Sequence, residues 1–477
     1  MHVQAAKTVS HILHNCRQSE NSYPRSYPPK TLLPFLTPPK TPTLSFRLAS
    51  APIKTREPNT NKTKSKVSIQ VRLMRFVVTK PSAGAGVAGK ARLGALYLGG
   101  GGAAPPIETP ALVVPTRRGL PSFISRDLLD RLPYPDSLLL HLCPIHFIVC
   151  PSTRTIKNIG GVHEMVGLQD HFFIASPGDS VESLPEHGGT NKIGAAFETP
   201  SGRRLINPKD YMDIISSTRP NLWASLADEV PAWVTEKRNR LSIDRTLKWL
   251  DDCLSLDQEK GASTLGAVVG GPNIEHRKKC ATEVSMRNVS GFYLGGFGLG
   301  ESIEERSALL NAVTNILPEE KIRFVSRLGL PEEVLQGVAA GIDLFDSTYI
   351  YHLTLGGFAL VFPLDILGEA PEALLRNSSN DYTKINLHAT IYRKDTSPIV
   401  DKCSCYTCQD HTRAYLNHLL NVHEMLAQIL LEIHNTHHYL GFFRSIRRAL
   451  KQEKFELFRE RFMESRRVHL TEAVPYS

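Results

Sequence analysis

The 477-residue chain holds no run of eighteen apolar residues that could cross a bilayer, and no apolar secretory core near its start. Acidic residues are almost missing from its first 73 positions, where twelve Lys/Arg face only Glu20 and Glu57. Cysteine is sparse over most of the chain, with Cys16, Cys143, Cys150, Cys253 and Cys280 standing far apart. The lack of a long apolar run excludes membrane-spanning helices, and scattered cysteines argue against a disulfide framework. Together these absences set the expectation of a reduced, soluble, cytoplasmic protein.

The acid-poor start carries +10, so of the formal net charge of +9 the rest of the chain holds −1. The basicity belongs to the tail and does not argue that the folded part binds nucleic acid. Within it, "YPPKTLLPFLTPPKTPTLSF" is too proline-broken for a helix or a central strand. Residues 1–73 are therefore expected to be a disordered leader. Their basic, hydroxyl-rich composition suits organellar targeting; the alternative is an over-long start ahead of Met74, which opens the strand-like "MRFVVTK".

After a Gly/Ala-rich connection, short apolar runs alternate with amphipathic stretches. "ALVVP", "SLLLHLC", "HFFIASP", "NLWASL", "LGAVVGG", "GFYLGGFG", "IRFVSRLG" and "GIDLFDS" read as strands. "DRTLKWLDDCL", "ESIEERSALLNAVTNIL" and "PEEVLQGVAA" read as helices between the later ones. About eight such units predict an α/β fold, a closed (β/α)8 barrel of the TIM type over residues 74–400, with an open doubly wound sheet as runner-up. Functional side chains in either fold belong just past the strand C-termini.

One dense cluster breaks the cysteine scarcity: Cys403, Cys405 and Cys408 in six residues. These spacings let a tight turn bring three thiolates to one ion. Reduced surface thiols and a redox Cys-x-x-Cys are the alternatives. A fourth ligand would come from the histidines that follow, among them His411, His418, His423, His434, His437 and His438, at or beyond an apolar stripe over 415–433 that predicts one helix. Residues 401–477 are thus expected to form a zinc-binding loop and C-terminal helices. Farther on, Arg444, Arg447, Arg448 and Lys451 share a helical face, suited either to nucleic-acid phosphates or to pairing with Glu453 and Glu456.

The ordered set "ETPALVVPTRRG", "LGAVVGGPNIEHRKKCA", "GFYLGGFGLGES", "GIDLFDS" and Cys-x-Cys-x2-Cys-x25-His resembles the tRNA-guanine transglycosylase family from about residue 107 to 465. The resemblance implies a zinc-bearing (β/α)8 barrel and selects His434 as the fourth ligand of one structural Zn2+ per chain. Family enzymes use two carboxylates, one as nucleophile at the ribose and one to move protons on the base. Asp346 stands at the nucleophile position. Ser176 falls where the proton-moving Asp belongs, with Asp179 three residues on and expected to face another way. Ile350, Tyr351 and His352 replace a Pro-Thr-Arg segment, and Val269 replaces the Gln of Val-Gln-Gly-Gly, while Gly270, Gly271, Gly295 and Gly296 are kept.

These departures imply a chain without catalytic residues, the accessory subunit of a heterodimer. Its catalytic queuine tRNA-ribosyltransferase partner would exchange guanine for queuine at the wobble position of tRNAs for Asp, Asn, His and Tyr. The chain would support tRNA binding and partner stability, with queuine as a further candidate ligand. The alternatives are an active transglycosylase with Asp346 as nucleophile, or a zinc-containing RNA-binding scaffold. Family dimers pair around the zinc loop and its helices, where the 415–433 stripe lies.

Overall fold

The computed structural model describes residues 74–80, 90–99, 105–148, 150–179, 181–257, 263–346, 348–367 and 383–471. The leader expected over 1–73 lies outside them.

Eight strands make one parallel sheet: β1 (Ala111–Val113), β2 (Leu139–Leu142), β3 (Phe172–Ala175), β4 (Leu222–Ala224), β5 (Thr264–Val268), β6 (Gly291–Leu294), β7 (Ile322–Ser326) and β8 (Leu344–Asp346). Their spatial order is β1-β8-β7-β6-β5-β4-β3-β2. A parallel bridge between Val114 and Leu140 joins the two ends, with Val114 N–H donating to Leu139 O (2.9 Å) and His141 N–H to Val114 O (2.8 Å). The sheet is therefore a barrel and not the open alternative. Every residue of the eight strands is buried. Strands covered on both faces read as continuous apolar runs, which is why the sequence shows them without alternation.

The crossover helices start where side chains can satisfy their first amides. Thr235 Oγ1 accepts from Arg238 N–H (3.3 Å) to open Glu236–Leu256, and Ser302 with Glu305 forms a reciprocal capping box on Ile303–Thr314. Ile243, Thr246, Trp249, Leu250 and Cys253 bury one stripe of the first helix at three- and four-residue steps.

Two three-stranded antiparallel sheets accompany the barrel, and of their strands only Arg75–Lys80 is read from the sequence. Arg75–Lys80, Leu93–Tyr97 and Ile107–Thr109 form one. Its middle strand lies inside the stretch read as a connection, yet Leu93, Ala95 and Leu96 are buried. The other is Leu184–Pro185, Ala195–Thr199 and Gly202–Ile206, inserted after β3.

The single helix expected over 415–433 is two helices, Arg413–Asn421 and Leu426–Lys451. His423 takes φ +59°, and Glu424 N–H donates back to Leu419 O (2.9 Å), closing the first helix before the second begins. Of the basic face, Arg444 and Arg447 pair with Asp136, and Lys451 pairs with Glu108 (2.8 Å). Those acids come from the barrel side, not from Glu453 or Glu456.

Candidate metal centre and barrel mouth

The Cys403–Cys408 turn and the long C-terminal helix meet over a small core of their own, which includes Leu387, Ile399, Leu416, Leu420, Leu430 and Leu431. Thr407 Oγ1 donates to Leu430 O (2.6 Å) and ties the turn to the helix. Cys405 N-caps the one-turn helix Tyr406–Asp410, its Sγ accepting from Cys408 N–H (3.3 Å). One ligand atom from each of Cys403, Cys405, Cys408 and His434 lies within 4.8 Å of all the others.

The imidazole of His434 is oriented for coordination. Its Nε2 lies 2.8 Å from Leu360 O, and a carbonyl can only accept, so Nε2 carries the proton. Nδ1 keeps its lone pair and faces Sγ of Cys405 (3.5 Å) and Cys408 (3.3 Å). An outer hydrogen bond that fixes the tautomer in this way is the usual support of a metal-bound histidine. The four residues are positioned to hold a metal ion. His437 and His438 sit nearby without joining the set, His438 facing Phe362 O (2.9 Å).

The barrel mouth is built from the strand C-termini. Asp346 ends β8; its Oδ2 accepts from Ser326 Oγ (2.7 Å) at the end of β7, and lies 3.8 Å from His141 Nε2. Its Oδ1 is buried with no hydrogen-bond partner among the described residues. Ser176, just past β3, donates to Gly178 O (3.1 Å) and sits 2.6 Å from His141 Nε2. Both oxygens thus approach the same ring nitrogen. A Ser-His-Asp relay needs them on opposite nitrogens, so this is not one.

Asp179 departs from expectation and turns toward the mouth. Its Oδ1 accepts from the amides of Val181, Glu182 and Ser183 (2.9, 2.7 and 2.9 Å), and Oδ2 lies 2.6 Å from His146 Nε2. Burial opposes its charge, but the His146 ring and the backbone amides outweigh burial and hold the carboxyl well below the usual range. A second acid, Glu432, accepts from Phe123 N–H (2.6 Å) and is pushed up to about 7 by burial. His141, His146, Asp179, Tyr351 and Glu432 line a cavity of about 30 Å³. That volume matches one water molecule and falls far below the several hundred Å³ of ordinary ligand pockets. His352 stands half-buried behind Tyr351, its imidazole pKa lowered by burial.

The two glycine motifs are joined by one buried arginine. Arg277 donates to the carbonyls of Gly271 (2.7 Å), Gly295 (3.1 Å) and Gly296 (2.9 Å) and lies 3.8 Å over the Phe297 ring. Gly270 takes φ +155°, and a Cβ there would come within 2.6 Å of Arg277 N. Beside them Glu229 is fully buried on Arg327 (2.5 Å), Gly296 N–H (2.6 Å) and Tyr293 OH (3.2 Å). Burial raises its pKa, but the Arg327 guanidinium outweighs that and leaves it lowered. His141, His146, Ser326 and the Glu229–Arg327 pair left no mark in the sequence, because their partners lie far along the chain.

The family model described as queuine tRNA-ribosyltransferase matches residues 88–468. Similar proteins named queuine tRNA-ribosyltransferase accessory subunit 2 include one from Gallus gallus, 33% identical over 402 residues, covering 76% of this chain and 92% of that protein. The Xenopus tropicalis protein of that name is 34% identical over 406 residues, covering 78% and 97%. That of Homo sapiens is 36% identical over 330 residues, covering 63% and 79%. With the barrel, the joined glycine loops and the four-ligand cluster already in place, these matches show that the chain belongs to the queuine tRNA-ribosyltransferase family.

Proposed function

We propose that this chain is the non-catalytic accessory subunit of a queuine tRNA-ribosyltransferase heterodimer, with a catalytic subunit and tRNA as partners and one structural Zn2+ at Cys403, Cys405, Cys408 and His434. The observation that carries the reading is the mouth. The cavity of about 30 Å³ beside His146 and Asp179 has room for one water. Ser176, at the place of the proton-moving acid, is neither a useful acid nor a base at neutral pH. Asp179 is a carboxylate at the mouth, but its depressed pKa makes it a weak base for the purpose. Asp346 keeps the nucleophile position with one oxygen bound by Ser326.

The metal serves architecture in this reading. Three thiolates and an imidazole close a tetrahedral Zn2+ with no vacant position, cross-linking the Cys403–Cys408 turn to the C-terminal helix. That lobe carries exposed Tyr415, Val422, Met425 and Leu426, an apolar edge suited to the catalytic partner.

The test gives labelled guanine and tRNA to the purified chain, to the catalytic subunit and to their mixture. Exchange is expected in the mixture and not with the chain alone, and Asp346→Asn in this chain should leave the mixture's rate unchanged. Exchange by the chain alone, abolished by Asp346→Asn, would establish an active transglycosylase and overturn the proposal.

A further inference from the structure

A second set of ligand-type side chains sits at the barrel mouth, separate from the Cys403–His434 centre. Cys143 follows β2 directly and N-caps the single turn Pro144–Phe147, which carries His146 one turn later. Asp179 reaches the same place from the loop after β3. One ligand atom from each of the three lies within 4.8 Å of the other two. Cys143 is fully buried, and the side chains of His146 and Asp179 are 5% and 8% exposed.

The donors crowd one buried part of the mouth. The three amides on Oδ1 of Asp179 fix the carboxylate and leave Oδ2 to face His146. Although Oδ2 lies 2.6 Å from Nε2, that nitrogen is buried without a hydrogen bond among the described residues, so the contact is close but off the bonding axis. At the other ring nitrogen, Arg118 N–H donates a long hydrogen bond to Nδ1 (3.5 Å). A cation entering between Nε2 and Oδ2 would displace the ring proton there, as metal binding to histidine does.

Cys143 repeats the local geometry of Cys405. Both cap a short turn from extended backbone (φ −95°, ψ 110° and φ −70°, ψ 154°), and the Cys405 sulfur also accepts an amide hydrogen bond from its turn. Without an ion, burial and the Asp179 charge push the Cys143 thiol up and keep it neutral. A divalent ion in contact with a thiol deprotonates it.

We propose that Cys143, His146 and Asp179 form a second divalent-cation site of the zinc class, with three protein ligands and an open fourth position toward the mouth cavity. Thiolate, imidazole and carboxylate are the donor types Zn2+ accepts, and three-ligand zinc sites keep water at the fourth position. His146 and Asp179 both line the cavity of about 30 Å³, which has room for that one water. The site is independent of the accessory-subunit reading. The competing account is a buried His146–Asp179 ion pair beside a bystander thiol.

Metal content of the purified full-length chain, after dialysis against a weak chelator, separates the two. The wild-type chain is expected to retain about two Zn2+ per chain, falling to about one in His146→Gln and in Asp179→Asn, because each removes a ligand. Both variants must show wild-type circular dichroism, and Cys143→Ser provides a third if either misfolds. In the Co2+-substituted chain, the same variants should lose part of the visible d–d absorption and keep the Cys403–His434 share. One Zn2+ per wild-type chain, or two that persist in every variant, would overturn the proposal.

Discussion

The metal lobe and the barrel mouth are built from the same kinds of side chain, yet one was readable in the sequence and the other was not. In the lobe, three cysteines fall in six residues, so spacing narrows the chemistry, and family resemblance selects His434 as the fourth. At the mouth, Asp346 meets Ser326, and His141 meets Ser176, across strands 20 and 35 residues apart. A convergence of that kind is a property of barrel closure, and sequence records only which residues are missing from the family pattern. The lobe brings all four ligand-type side chains together, while the mouth keeps Asp346 at the nucleophile position and has Ser176 where the family acid belongs.

The largest expected effect tests the lobe. Cys405→Ser removes a ligand from a site whose folding contribution in small zinc domains reaches about 10 kcal/mol. It should yield chain that loses the lobe's cooperative melting transition and its bound metal together. A metal-free wild-type chain with unchanged melting would break the contrast between the two regions.

The next effect belongs to the mouth's scaffold. Glu229→Gln leaves Arg327 buried without its counter-charge, a change that costs about 3–5 kcal/mol in comparable buried pairs. Because the folded pKa of Glu229 lies below its ordinary value of 4.5, its contribution is present above that value and is lost as pH falls through the folded pKa. Melting curves should therefore separate wild type from variant at pH 7 and draw together under acid. A gap independent of pH would contradict the ion-pair account.

A smaller effect sharpens the comparison chemically. Ser176→Asp restores the family residue but places a carboxylate beside His141 in a fully buried position. It should lower stability by about 1–3 kcal/mol, the cost of an imperfectly satisfied buried polar group, without restoring guanine exchange. Recovery of exchange by this one change would show that the pocket opens around a base. Least of all should change in Asp346→Asn, which keeps the Ser326 contact; a melting shift under about 1 kcal/mol is expected.

Much of the fold was legible for physical reasons. The eight apolar runs read as strands are the eight barrel strands, since strands covered on both faces need no polar alternation. Leu93–Tyr97 was passed over because glycine and alanine dominate its neighbourhood and only its burial shows its role. The break at 422–425 carries no glycine or proline; His423 takes the left-handed turn instead, and the apolar stripe runs through it. The four residues positioned for a metal ion came from spacing together with family resemblance. The turning of Asp179 toward His146 did not, because it depends on the Val181–Ser183 amides gathering its carboxylate.

The most direct test of an emptied mouth is to look for the covalent tRNA intermediate expected in this family. The mixture of both subunits is incubated with labelled tRNA and resolved under denaturing conditions that preserve the enzyme–ribose bond. Label should migrate only with the catalytic subunit; label that migrates with this chain, and disappears in Asp346→Asn, would contradict the account.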